Sequence, residues 1–385
     1  MKSGTFSFSL LFALSAALNS AGALEVKLSV AERAGVARSP GLVTGGVPFA
    51  KGAVKDVKAL SVSMTGKAIP AQFLRTAKWP DGSVRWALLD CQVPLEAGGK
   101  AELVVRDDGE NPAPASPVRV EKGDADVKVS TGPMTCVIDG KSAAIFKSIV
   151  VDGKELVSAK GRGLVIWAEC PAQGTVKCHG RPSVECPKFG PGKPIAAGAP
   201  TSVEIEQAGP MRAIVKLRGK FPQSVNKGLA GYTVRIYAYA GQKRLKLHVW
   251  LENGGRHGYR GEKDKGDDVR PEWMVFDGLA LEMGLGLGGE IQAECEGAKA
   301  GGALRVFQGA KTPNKDRGPA YRLEDMFYTV KSGEKELRKG QRTDGVVALS
   351  GADGKLTACV RDFWENYEKA IELEGGKLRL WLWPL

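Results

Sequence analysis

Lys78-Trp-Pro-Asp-Gly-Ser-Val-Arg-Trp86 is the stretch that decides the fold of the N-terminal region. Within it, the proline fixes its own φ, the aspartate can cap a turn, and the glycine can take a positive φ. From Val84 onward the residues alternate, which places Trp86 and Leu88 on the same face of a strand. The stretch therefore predicts a tight turn that leads directly into a half-buried β-strand.

The strand pattern extends to both sides of this turn. Leu60, Val62 and Met64 alternate with polar residues, and residues 84–95 and 101–106 are further strand-like runs. A proline-rich break then covers residues 111–117, and short apolar runs with almost no helical periodicity follow it. We predict an all-β chain with domains at residues 24–112 and 113–385.

Composition and charge exclude several classes of protein. The chain has 385 residues, of which 43% are hydrophobic and 25% charged, with 50 glycines and 21 prolines. These values exclude a disordered chain, a fibrous protein and a multi-span membrane protein, and the glycine content favours many tight turns. The net charge of +12 favours a polyanion or an anionic surface as partner. A solvated basic surface without a specific partner is the alternative.

The N-terminus has the pattern of a secretory signal peptide. Lys2 precedes an apolar stretch at residues 6–18, and Ala21-Gly-Ala23 is a typical cleavage site. We predict a signal peptide at residues 1–23, a mature start at Leu24, no transmembrane segment, and a secreted or periplasmic protein. An amphipathic helix of the fold is the alternative. Export disfavours nucleic acid as a partner and favours an acidic polysaccharide such as pectin, or an anionic envelope surface.

The seven cysteines are odd in number, so at least one has no partner within the chain. Cys91 and Cys359 lie in apolar strand-like runs and are predicted to be buried thiols. Cys170, Cys178 and Cys186 are evenly spaced in a segment rich in Gly, Pro and Lys. This spacing favours a loop-stapling disulfide over a zinc site, with free thiols as a further alternative. We predict no metal site.

Residues 232–251 give the clearest hairpin in the sequence. Val234, Ile236 and Ala238 fall on one face, and a turn near Gly241 leads into a second alternating strand. The opposite face combines aromatic and basic side chains from both strands: Arg235, Tyr237, Tyr239, Lys246, His248 and Trp250. That face could bind a sugar acid, or it could lie against another domain, since aromatic residues are common cross-strand partners.

The N-terminal motifs resemble a known family. Three stretches carry this resemblance: Thr44-Gly-Gly-Val-Pro-Phe49, Ile69-Pro-Ala-Gln72, and the stretch from Lys78 to Trp86. They resemble the RIFT-barrel domain of the exo-rhamnogalacturonan lyase and YetA-like family, polysaccharide lyase family 26. Residues 118–384 resemble its central β-sandwich, through the hairpin, Val360–Tyr367 and Leu380–Pro384. The resemblance implies a small RIFT-type β-barrel followed by a large antiparallel β-sandwich.

Members of that family continue into an α/α toroid that is expected to line the catalytic cleft. The sequence ends at Leu385 and contains no helical pattern. We therefore expect a truncated reading frame or a natural short form, which is inactive alone and could bind a separately encoded toroid. With that domain missing, Trp381, Trp383 and Trp364 are expected to be partly exposed, unless their strand belongs to the core.

The lyase chemistry that the resemblance implies is β-elimination beside a uronate, which needs a base, an acid and a group that neutralises the carboxylate. Two loops, at residues 255–261 and 361–367, offer such groups. Together with the aromatic face of the hairpin they supply the substrate-binding candidates: His257, Tyr259, Arg260, Arg361, Tyr367, Tyr237, Tyr239 and Trp250. Arg361 could instead pair with Asp362, and His257 could be a solvated turn residue. We assign no catalytic residue.

Two further patterns have simpler explanations. Asp264, Asp267 and Asp268 could hold a calcium ion, but the interleaved basic residues favour a solvated charged loop. Gly284-Leu-Gly-Leu-Gly-Gly289 matches a dinucleotide-binding motif only as a string, because no βαβ unit surrounds it. We therefore expect no cofactor.

The function predicted from the sequence is that of an exported part of an exo-rhamnogalacturonan lyase-like protein, without the toroid. It would act on or bind an acidic pectic polysaccharide. The alternative is a non-catalytic carbohydrate-binding or envelope scaffold module.

Overall fold

The computed structural model describes residues 24–107, 109, 111–178, 181–255, 274–311 and 323–384, with the backbone alone at 172, 175–178 and 181–189. This part of the chain forms β-strands and three short 3₁₀ turns: Val57–Ala59, Asn226–Gly228 and Leu323–Asp325. It contains no α-helix, so the predicted all-β class is confirmed. No helix in the described ranges is long and apolar enough to cross a membrane.

Seven strands form the N-terminal barrel. They are β1 Glu25–Ala31, β2 Arg38–Pro48, β3 Ser61–Met64, β4 Lys67–Ala68, β5 Ala71–Lys78, β6 Val84–Leu95 and β7 Lys100–Arg106. One sheet has the order β1-β7-β3-β4 and the other the order β2-β6-β5. Between the two sheets lies a continuous apolar core that includes Leu60, Val62, Val47, Leu89 and Leu103. The predicted alternation from Leu60 to Met64 is confirmed, because Leu60 and Val62 point into this core.

The turn that precedes β6 forms as its sequence predicts. Gly82 has a φ of +84°, which favours glycine. A side-chain oxygen of Asp81 accepts hydrogen bonds from the backbone N–H of Ser83 at 3.0 Å and from its hydroxyl at 2.6 Å. These bonds lower the pKa of Asp81. The indole N–H of Trp79 donates to the carbonyl of Phe49 at 3.0 Å, so the turn is tied to the end of the Thr44–Phe49 motif.

The remaining strands form the sandwich region. The first group is β8 Arg119–Lys122, β9 Asp126–Ser130, β10 Met134–Asp139, β11 Phe146–Val151, β12 Lys154–Ala168, β13 Ala172–Cys178, β14 Arg181–Phe189 and β15 Lys193–Ala196. The second is β16 Pro200–Ala208, β17 Arg212–Lys220, β18 Ala230–Tyr239, β19 Leu245–Asn253, β20 Gly278–Leu285, β21 Gln292–Cys295 and β22 Ala298–Gly301. The third is β23 Ala303–Ala310, β24 Met326–Ser332, β25 Lys335–Gly340, β26 Val346–Ser350, β27 Lys355–Cys359, β28 Lys369–Glu374 and β29 Lys377–Trp383.

A twelve-stranded antiparallel sheet organises this region. Its order is β25-β24-β23-β28-β29-β20-β12-β11-β10-β9-β8, and β15 pairs with β12. One half packs against the sheet β16-β17-β18-β19, around a core that contains Ile138, Ile166, Val215 and Val234. The other half packs against the sheet β22-β21-β26-β27, around a second core. Apolar burial between facing sheets therefore holds the sandwich together.

Glu282, at the middle of the long sheet, is fully buried and surrounded by cations. Its carboxylate accepts two hydrogen bonds from Arg162, at 2.9 and 2.8 Å, and one from Arg379 at 2.9 Å, while Lys377 lies 3.5 Å away. Burial opposes ionisation of Glu282, but the two arginines prevail and hold its pKa at about 2. This cluster ties together β12, β20 and β29.

The C-terminal strand only partly follows the expectation that its indoles are exposed. Trp383 is 56% exposed, but Trp381 is 2% exposed. The ring of Trp381 lies 4.4 Å from that of Trp167, and its N–H donates to Glu372 at 2.7 Å. Trp364 is half-buried. Trp381 is covered because it lies mid-sheet, whereas Trp383 lies at the end of its strand.

The cysteines divide between buried and accessible positions. Cys91 is buried as predicted, and burial raises its pKa to about 12. The prediction of a buried Cys359 is wrong: the alternation of β27 directs Ala358 inward and leaves Cys359 exposed. Cys170 forms no disulfide, and the side chains of Cys178 and Cys186 lie outside the described part.

Candidate functional site

The predicted hairpin forms as β18 and β19, and its register confirms the predicted division of faces. Val234, Ile236 and Ala238 are buried in the sandwich core. The outward residues meet in pairs across the two strands: Thr233 with Trp250, Arg235 with His248, and Tyr237 with Lys246. We call Arg235, Tyr237, Lys246, His248 and Trp250 the hairpin face.

Three rings run across the hairpin face. The ring of His248 lies 4.9 Å from that of Tyr237 and 5.4 Å from that of Trp250. Trp250 is 40% exposed, whereas Tyr237 and His248 are half-buried. An exposed aromatic surface with polar groups beside it is a common feature of ligand sites.

Two cations beside these rings, Arg235 and Lys216, are already paired with carboxylates. The guanidinium of Arg235 lies 5.0 Å from the centre of the Trp250 ring and binds the carboxylate of Glu206 through two bonds, at 2.6 and 2.9 Å. Lys216 of β17 contacts Glu206 at 2.8 Å and Glu204 at 2.6 Å. The hydrogen bonds from Arg235 and Lys216 hold the pKa of Glu206 at about 2, against the effect of burial.

Lys246 differs from these cations because it has no carboxylate partner among the described residues. Its ammonium lies 5.6 Å from the centre of the Tyr237 ring. Burial, together with the nearby guanidinium groups of Arg361 and Arg212, lowers the pKa of Lys246. An anion bound beside Lys246 would offset the repulsion between its ammonium and these guanidinium groups. Lys246 is therefore the group on this face best suited to bind a carboxylate.

His248 is the titratable group at the centre of the face. Burial lowers its pKa, and so do the positive charges of Lys246, Arg361 and Arg235. This lowering favours the neutral imidazole, in which one ring nitrogen can donate a hydrogen bond while the other accepts one.

The loop between β27 and β28 brings Arg361 close to this face. Arg361 pairs with Asp362 at 3.3 Å, as the alternative interpretation of the sequence proposed, and the side chain of Arg361 is largely exposed. It is nevertheless near enough to Lys246 and His248 to lower the pKa of each. The structure thus brings together two groups of residues that the sequence analysis singled out separately.

The other candidates lie elsewhere or outside the description. Tyr239 is half-buried at the end of β18, where burial raises its pKa, and Tyr367 is half-buried in the loop that carries Arg361. His257, Tyr259 and Arg260 lie outside the described residues, as do Asp264, Asp267 and Asp268. In the described ranges, no group of three or more His, Cys, Asp or Glu side chains could hold a metal ion.

Arg212 is a site residue that sequence reasoning missed. Its guanidinium lies 5.9 Å from the centre of the Tyr237 ring and contacts Asp90 of the barrel at 2.9 Å. Two of its N–H groups donate to Gln207, at 3.1 and 2.8 Å, and the hydroxyl of Thr44 donates to Asp90 at 2.6 Å. Asp90 and Arg212 are 3% and 4% exposed. Burial raises the pKa of Asp90, while Arg212 and Thr44 oppose that effect.

Two glutamines of the barrel complete this contact. The side-chain oxygen of Gln72 accepts from the backbone N–H groups of Met211 and Arg212, at 3.0 and 3.1 Å. The amide of Gln92 donates to the carbonyl of Ala240 at 2.8 Å. Polar residues on one face of β5 and β6 were the available signal for this interface, and Gln72 lies within one of the N-terminal motifs, but the sequence could not show what they contact.

Both domains match known family models. Residues 26–103 match the family model described as the PcRGLX-like N-terminal RIFT barrel domain. Residues 118–252 match that of the PcRGLX-like protein central beta sandwich domain. The predicted succession of a RIFT-type barrel and a β-sandwich is thus confirmed.

The chain is also similar to a longer curated protein. It is 24% identical over 393 aligned positions to the uncharacterized protein YetA of Bacillus subtilis (strain 168). The alignment covers 89% of this chain and 42% of that protein, so the chain spans less than half the length of this relative.

Proposed function

We propose that this chain, which carries the two PcRGLX-like domains in series, is the exported part of a rhamnogalacturonan lyase-related protein and binds an acidic pectic polysaccharide on the hairpin face. The observation that carries the proposal is Lys246, a cation without a carboxylate partner among the described residues, beside three aromatic rings. A uronate offers the matching chemistry, because its carboxylate would neutralise the ammonium and its ring would lie against an aromatic side chain.

The charge of the surroundings favours an anionic over a neutral ligand. Arg361 and Arg212 both raise the local positive potential at Lys246, although each also contacts a carboxylate. Lys246 and Arg361 are both exposed, so added salt should screen this potential. Neutral His248 then supplies a hydrogen bond to a sugar hydroxyl at no electrostatic cost.

The test is calorimetric titration of the mature chain with polygalacturonate and with its fully methyl-esterified form. We expect binding to the acidic polymer only, weakening as salt rises. Lys246→Gln should weaken it about tenfold, which corresponds to the loss of one charge-assisted contact. Lys128→Gln is the matched control, since Lys128 is solvent-accessible on β9 and already pairs with Glu121. Equal affinity for both polymers, or an unchanged Lys246→Gln variant, would refute the proposal.

We propose further that the barrel and the sandwich alone have no lyase activity, and that a helical domain would be needed to complete a catalytic cleft. Incubation with rhamnogalacturonan should then give no new absorbance from unsaturated uronate. Strong product formation would contradict this and direct attention to His257 and Tyr259.

The second candidate function is a non-catalytic carbohydrate-binding or envelope scaffold module. It shares the binding surface, because a sugar-binding face requires no catalytic group. The test adds the α/α toroid of a lyase-family member to the chain. If the mixture cleaves no rhamnogalacturonan while the chain still binds polygalacturonate, the module interpretation is favoured.

A further inference from the structure

One face of the barrel sheet β2-β6-β5 faces away from the barrel core and meets the sandwich at one end. Along β6, this face carries Gln92, Asp90, Leu88 and Trp86 in succession, since alternate residues of a strand share a face. Gln92 contacts backbone at the end of β18, whereas Asp90 contacts the guanidinium of Arg212, which belongs to the outward side of the sandwich. From Gln92 towards Trp86, β6 therefore runs along the outward side of the sandwich sheet β16-β17-β18-β19.

Beyond Asp90 the same face becomes apolar and accessible. Leu88 and Trp86 follow at about 7 and 13 Å along the strand, from a rise of about 3.3 Å per residue. Leu88 is half-buried, while Trp86 and the neighbouring Leu74 are 41% and 40% exposed. A cross-strand row of Leu74, Leu88 and Gly46 thus separates the buried polar contacts from the exposed indole.

The indole of Trp86 lies directly against Gly46. A Cβ atom added at Gly46 would meet two ring carbons of Trp86 at 3.3 and 3.4 Å, closer than an ordinary van der Waals contact. Glycine at this position therefore lets the ring rest on the backbone of β2. Both residues belong to the quoted N-terminal motifs, and neither contributes to the barrel core.

We infer that Trp86, supported by Gly46, is a second sugar-binding platform, which takes a pyranose ring of the oligosaccharide whose uronate lies on the hairpin face. This inference rests on the proposed function. Continuity supports it, because Asp90 and Arg212 connect the barrel face to Tyr237 through direct contacts. The two surfaces would form the wall and the floor of one cleft, with an apolar wall and a cationic floor.

The experiment compares the affinity of the mature chain for a galacturonate disaccharide and for a longer galacturonate oligomer. We expect Trp86→Ala to weaken binding of the longer oligomer about fivefold to tenfold and to leave the disaccharide unchanged, as truncation of an aromatic contact typically does. Gly46→Ala, which displaces the ring without removing it, should act in the same direction. Trp383→Ala is the matched control, because Trp383 is an exposed tryptophan on another sheet.

The outcomes separate the inference from the proposed function. If Lys246→Gln weakens both ligands but Trp86→Ala and Gly46→Ala weaken neither, the platform is refuted and the proposed function stands. If Lys246→Gln weakens neither ligand, the proposed function fails and the inference with it. If the wild-type chain dimerises in sedimentation and Trp86→Ala abolishes the dimer, Trp86 contacts a second copy of the chain instead of a sugar, and the inference is overturned.

Discussion

Replacing Asp90 by alanine should destabilise the contact between the barrel and the sandwich more than any change at the surface. The variant leaves the guanidinium of Arg212 buried without its carboxylate partner, and it also removes the acceptor for the hydroxyl of Thr44. Breaking a buried ion pair from one side costs about 3–5 kcal/mol. Arg212 retains two hydrogen bonds to Gln207, so the expected loss is at the lower end, about 3 kcal/mol.

Urea denaturation at pH 7 measures this loss. Because the contact couples two separate apolar cores, we expect the barrel of Asp90→Ala to unfold at a lower urea concentration than the sandwich, which broadens or splits the transition. Asp124→Ala is the control, since Asp124 is exposed in the sandwich and should leave stability unchanged within about 0.5 kcal/mol.

A double-mutant cycle measures the interaction energy between Asp90 and Arg212 separately from their other contacts. Asp90→Leu combined with Arg212→Leu removes both buried charges, so the double variant should be more stable than the sum of the two single losses predicts, by about 1–3 kcal/mol. A loss below about 1 kcal/mol in Asp90→Ala, or strictly additive losses in the cycle, would show that the pair does not hold the domains together.

Four further predictions follow from single sites. Glu282→Gln should cost about 2–3 kcal/mol at pH 7. Because the native pKa of Glu282 is about 2 against 4.5 in the unfolded chain, that difference from wild type should shrink in urea melts as the pH falls below 4.5. A bound uronate should raise the lowered pKa of His248, so polygalacturonate affinity should increase a few-fold from pH 7.5 to pH 5.5 in calorimetry; His248→Asn should abolish this increase. Trp381→Ser should lower the melting temperature strongly, whereas Trp383→Ser should leave it unchanged and weaken any self-association seen in sedimentation; equal melting temperatures would contradict the burial of Trp381. N-terminal sequencing of protein recovered from the secreted or periplasmic fraction should start at Leu24, and retention of Met1 would refute the predicted signal peptide.

Local patterns carried most of what could be predicted about the fold. The turn before β6 requires only neighbouring residues, and its hydrogen bonds join Asp81 to Ser83 two positions away. The hairpin follows from strict alternation over two strands with a short connection, so its two faces were predictable residue by residue. In both cases the deciding interactions are close in sequence.

Long-range contacts decided what could not be predicted. Arg212 is one of four basic residues of β17, and its partner Asp90 is in the barrel, so neither position indicates the pairing. The proximity of Arg361 to Lys246 likewise depends on how the loop after β27 folds back. Cys359 and Trp381 illustrate the limit of hydrophobic runs, which predict that a strand is buried but not which of its residues are covered by neighbouring strands.

Residues of the barrel sheet β2-β6-β5 divide into two groups with different physical roles. Val47 and Leu89 fill the barrel core, where another apolar residue of similar volume would serve. Gln72 and the Oδ1 atom of Asp90 face outward and have polar partners in the sandwich, which a substitution would leave unpaired. A barrel required only for its own stability would need the first group alone. The second group therefore indicates that the barrel is held in one orientation on the sandwich. Besides its contribution to stability, a fixed orientation is what the sugar-binding platform inferred at Trp86 requires, because its ring must keep one position relative to the hairpin face.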